Sequence, residues 1–176
     1  MDVKSESETL MLKDSDLAGL YKKIGVSTRV SEKLKEEIVG TDDISADEAT
    51  RLVLRFIEVE VENTLLFSDA MAMEIELSNN DEFKKMRKDD YDATIEPARE
   101  AEAVLADASC GDYRRVKNFI NERGNYAINL GNDEMFGRRL LAIATLVPEN
   151  GVPFKPSMPA WMNEKFNGEL DHYSDK

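Results

Sequence analysis

The chain has 176 residues, with 23 basic against 36 acidic side chains and a formal net charge of −13. That length suits one domain able to bury its own core without staples, and that charge disfavours nucleic acid and anionic membranes as partners. A single cysteine, Cys110, and a single histidine, His172, leave no disulfide framework, no paired-cysteine zinc site and no histidine-based metal signature.

Residues 1–13 are polar and acidic and read as a flexible arm. They lack the basic stretch followed by an apolar one that marks a secretory leader. Leu17, Leu20, Tyr21 and Ile24 then recur at helical spacing, which predicts a short helix over 14–24 with Gly25 as its stop. Ser31 is an N-cap for a second short helix over 32–39, closed by Gly40.

Ser45-Ala46-Asp47-Glu48 is a capping box, in which a serine hydroxyl and a glutamate three residues on each satisfy a free backbone N–H. Leu52, Val53, Phe56, Val59, Leu66, Ala70, Met73 and Leu77 extend an apolar stripe from it, with no Gly or Pro between 46 and 78. This predicts a long central helix over about 45–78. Inside it, Ile57-Glu58-Val59-Glu60-Val61-Glu62 alternates like a strand. Helix is the preferred reading because cap and period agree on both sides.

Asn79-Asn80-Asp81 is a turn and cap before a charged helix over 82–93. Pro97 suits the first turn of another over 96–108, ended by Gly111. Asp112 caps a helix over 113–123 with Gly124 as its stop, and Asn132 or Asp133 starts a last apolar helix ahead of Pro148. The resulting fold class is all-α, five to seven helices around the long central one. A helical domain over 14–147 is followed by an extended Pro-rich arm over 148–176, with one short helix at 159–166. The longest apolar run, 140–147, is eight residues, far short of a membrane span.

Strings that suggest chemistry fail on context. Asp90-Tyr91-Asp92-Ala93-Thr94 has the spacing of a phosphotransferase aspartate motif, but Lys84-Lys85-Met86-Arg87-Lys88-Asp89 before it cannot be the buried strand that such a motif needs. Asp14-Ser15-Asp16 opens like a calcium loop, yet Gly25 stands where the bidentate acid belongs. Glu58, Glu60, Glu62, Glu74 and Glu76 invite a carboxylate metal box, but helical di-metal sites take a histidine from each of two helices, and this chain has only His172 in its last residues. A solvated, partner-facing acidic stripe is the preferred reading, and no cofactor or catalytic residue is assigned.

Two segments carry candidate binding residues. Residues 112–147 hold six basic and four acidic side chains. Arg114, Arg115, Lys117, Arg123, Arg138 and Arg139 alternate there with Tyr113, Phe119 and Tyr126, a pattern able to contact phosphates and stack on bases. The simpler reading puts the aromatics in the core and pairs the arginines with the acidic first part of the chain. In the arm, Pro153, Phe154, Pro156 and Pro159 form overlapping Pro-x-x-Pro steps before Trp161 and Phe166, a composition common in partner ligands.

The sequence therefore points to a non-enzymatic interaction or assembly protein of the cytoplasm, an adaptor or structural subunit using helical faces and the C-terminal arm. Its partner would be another protein or identical subunits, with no membrane involved. The alternatives are a nucleic-acid-associated protein using the 112–147 patch or acting as an acidic mimic, and a carboxylate-based metal-dependent enzyme.

Overall fold

The computed structural model describes the backbone over residues 3–155 and side chains over 15–155. The described residues form five α-helices: α1 (Val3–Val39), α2 (Ala46–Leu77), α3 (Asp81–Ser109), α4 (Arg114–Asn129) and α5 (Glu134–Ala144). The fold is all-α around the long central helix expected. Pro156, Pro159, Trp161 and Phe166, the short helix over 159–166 and His172 lie outside the described residues.

Three expected helix boundaries, two stops and one start, lie inside helices. α1 runs through Gly25 as one helix, where two short ones over 14–24 and 32–39 are expected, and its first turns cover residues 3–13. Glycine costs a helix interior roughly 1 kcal/mol relative to alanine. The buried row Ile24, Ser27, Val30, Leu34 and Ile38 outweighs that cost by packing along α2. α3 likewise joins the expected 82–93 and 96–108 segments, with Pro97 in its interior rather than its first turn. α4 continues through Gly124 to Asn129.

α2 begins with the serine half of the capping box. Ser45 is extended, and its hydroxyl accepts the Glu48 N–H at 3.2 Å. The strand-like stretch is helical, and its alternation has a tertiary cause. α2 packs against α1, α3, α4 and α5, so neighbouring residues Phe56, Ile57, Glu58 and Val59 are all buried and no single stripe remains. Asn80 caps α3, its side-chain oxygen accepting the Phe83 N–H at 3.0 Å.

α3 ends at Gly111, whose φ of +81° is the left-handed value that glycine adopts without penalty. Gly111 N–H bonds back to Ala108 and Asp112 N–H to Asp107. The chain then reverses into α4, with the Asp112 carboxylate accepting the Arg114 N–H at 3.1 Å.

α4 and α5 form a hairpin over one end of the α1–α2–α3 layer. They meet at Gly124 and Gly137, where a Cβ on Gly137 would stand 2.5 Å from the Gly124 carbonyl oxygen and 2.7 Å from Ile128 Cγ1. Two glycines there let the helix backbones approach closely. The main core lies beneath this hairpin, where Phe56 of α2 meets Phe136 of α5 edge to face at 5.5 Å. A smaller cluster of Ile24, Leu66 and Ala70 holds α1 to α2 further out.

Candidate functional site

Four of the six basic residues of the 112–147 segment are paired with acids. Arg114 grips Asp112 through two bonds, Nε to Oδ1 at 3.0 Å and Nη2 to Oδ2 at 2.8 Å, which lowers the Asp112 carboxyl to about 2. Arg115 pairs with Asp107 of α3 at 3.3 Å. Arg123 pairs with Glu60 of α2 and lies beside the Phe119 ring, and Arg138 pairs with Glu134 one turn earlier. Lys117 and Arg139 are half-buried on the same hairpin. Two of these pairs tie the hairpin to the acidic helices α2 and α3, and two are local. Of the aromatics between them, Tyr113 is buried, Phe119 half-buried and Tyr126 exposed.

The five glutamates of α2 are dispersed in role. Glu58 is buried, and Glu60 holds Arg123. Burial pushes the Glu62 carboxyl above its ordinary range against the pull of Lys23, with Asp69 and Glu58 adding to the rise. Glu74 accepts the Tyr21 hydroxyl on one oxygen and forms an ion pair with Arg87 Nε at 2.6 Å through the other, so one carboxylate links α1, α2 and α3. Burial and that bond push the Tyr21 phenol up to about 12. Glu76 is exposed. Among the described residues, no group of three or more His, Cys, Asp or Glu stands together as a metal site would require.

The first part of the arm, residues 148–155, crosses the junction of α3 and α4 as a strap. Tyr113 N–H donates to Glu149 at 2.9 Å, Gly151 N–H to Gly111 at 3.0 Å, and Phe154 N–H to Ala108 at 2.9 Å. The Tyr113 hydroxyl donates to the Val152 carbonyl. Phe154 is half-buried against the main core, and Pro153 is exposed. Between the strap and the first turns of α2 lies an open groove of about 650 Å³.

One surface that sequence reasoning passed over stands at the tip of the hairpin. Tyr126, Leu130 and Met135 are 55%, 73% and 66% exposed and bracket the α4–α5 turn. Beside them is a groove lined by Lys35, Glu60, Arg123 and Phe136. The expected stop at Gly124 hid this surface, because it ends the helix before Tyr126 and Leu130, whereas α4 continues to Asn129 with Leu130 as its cap.

Comparison of the chain with models of known families, with curated proteins and with solved structures finds no match. Among the described residues, no helix is long and apolar enough to cross a membrane.

Proposed function

We propose that the chain is a non-enzymatic interaction or assembly protein of the cytoplasm, an adaptor or structural subunit that binds another protein or further copies of itself. The observation that carries this reading is the hairpin tip, where Tyr126, Leu130 and Met135 stand in water around one turn. Large apolar side chains grouped on a surface mark sites of protein contact, and tyrosine and methionine are enriched at the centres of such contacts. The adjoining groove adds Lys35, a cation beside the Arg123–Glu60 pair that can help fix the register of a partner. With only one cysteine the chain makes no internal disulfide, which suits a reducing compartment.

The test is a pull-down from the native host alongside size exclusion, comparing the unaltered chain with a Tyr126→Asp/Leu130→Glu double variant. Both positions are exposed, so helix content should stay unchanged while a captured protein, or a larger self-assembled species, is lost. A variant that keeps every partner and the same assembly size removes the tip from function.

A further inference from the structure

The strap brings the chain to the edge of an apolar groove and leaves it there. Its backbone bonds hold the arm in place as far as Phe154, and Lys155 already lines the groove. The opposite wall is Thr50, Arg51 and Leu54 of α2, the strap supplies Val152 and Phe154, and Tyr113 at the start of α4 completes it. Val152 is 82% exposed, a cost that a second apolar surface would remove. At about 650 Å³, the open groove has room for a large side chain.

The residues that follow Lys155 are Pro156-Ser157-Met158-Pro159-Ala160-Trp161-Met162, seven in a row with no charge, in a chain where charged residues make up 34%. At a polyproline rise of about 3.1 Å per residue, Trp161 lies within roughly 19 Å of Lys155 along the chain. Two prolines reduce the conformations lost on docking. A tether this short holds the segment near the groove at an effective concentration on the order of millimolar, which favours it over a second copy or a free partner.

We propose that this groove is the docking site of the chain's own segment 156–162, with Trp161 as its anchor. The inference goes beyond the interaction reading and stands whether or not the hairpin tip has a partner.

The full chain carries its own probes, because Trp161 is the only tryptophan and Cys110 the only cysteine. Cys110 is exposed at the end of α3, beside Gly111. An acceptor dye on Cys110 reports proximity by energy transfer from Trp161, and acrylamide quenching of the undyed chain reports burial. Docking predicts blue-shifted Trp161 emission and quenching several-fold weaker than in denaturant. It also predicts strong transfer, unchanged by dilution or by excess unlabelled chain. Val152→Glu leaves the backbone carbonyl that Tyr113 uses, and should restore strong quenching at unchanged helix content. Quenching as strong as in denaturant means a free segment and overturns the proposal. Transfer that falls with unlabelled chain means docking on a second copy, and protection that persists in Val152→Glu means another location. Each of those overturns it as well.

Discussion

Tyr21 shows how a single side chain reports on the whole helix layer. Its hydroxyl donates to Glu74, which also holds Arg87, and burial with that bond raises the phenol to about 12. A folded value above the unfolded value near 10 means the neutral phenol is favoured by the fold. Its contribution is therefore complete below about pH 10 and is lost as pH rises through about 12. Tyrosinate absorbance of the folded chain should show a late-titrating component from Tyr21 and the buried Tyr113, which Tyr21→Phe reduces. If the variant leaves the late component intact, the Tyr21–Glu74 bond does not hold in solution.

The glycines separate into two kinds at the scale of the helices. A Cβ at Gly25 of α1 would meet no atom within 4 Å, whereas one at Gly137 of α5 would collide with the Gly124 carbonyl and Ile128. Gly25→Ala should raise unfolding free energy by about 0.5–1 kcal/mol, the helix preference of alanine over glycine. Gly137→Ala should lower it by about 1–3 kcal/mol, as overpacking does in well-packed interiors. Urea unfolding of the two variants measures both, and equal signs would contradict the hairpin crossing described here. The arginines of the same hairpin behave as structural ties. Arg114→Glu/Arg115→Glu/Lys117→Glu places acids beside Asp112 and Asp107, so it should lower thermal stability. If instead the unaltered chain binds nucleic acid at low salt and the triple variant does not, the basic group is an interface after all.

For the whole molecule, the hairpin covers one end of a layer of three helices, and the strap seals the seam between α3 and α4. Truncation after Val147 deletes Phe154 from the core and every strap bond to Tyr113, Gly111 and Ala108. It should lower the melting temperature at unchanged assembly size, since these contacts lie within one chain. A truncated chain that melts as the full one does would mean the strap adds nothing to stability, and a smaller species with intact helices would mean the arm joins copies together.

The helix type of the fold and the limits of α2 were legible in the residues alone. Ser45 with Glu48 and Asn80 with Phe83 act through bonds spanning three residues, which depend on no distant part of the chain. The end of α3 was legible for the same reason, because only a glycine takes the Gly111 conformation cheaply. The tertiary structure decided what Gly25, Pro97 and Gly124 mean. Local preference at such positions amounts to about 1 kcal/mol for glycine and about 3 for proline, and burial of a helix face along a neighbour exceeds it. It also decided the candidate surfaces. Arg115 and Arg123 find their acids on other helices, and Tyr126, Leu130 and Met135 face water only because the hairpin turns its other side to Phe56. Which face of an amphipathic helix is covered depends on where its partners lie, and periodicity along one helix does not contain that information.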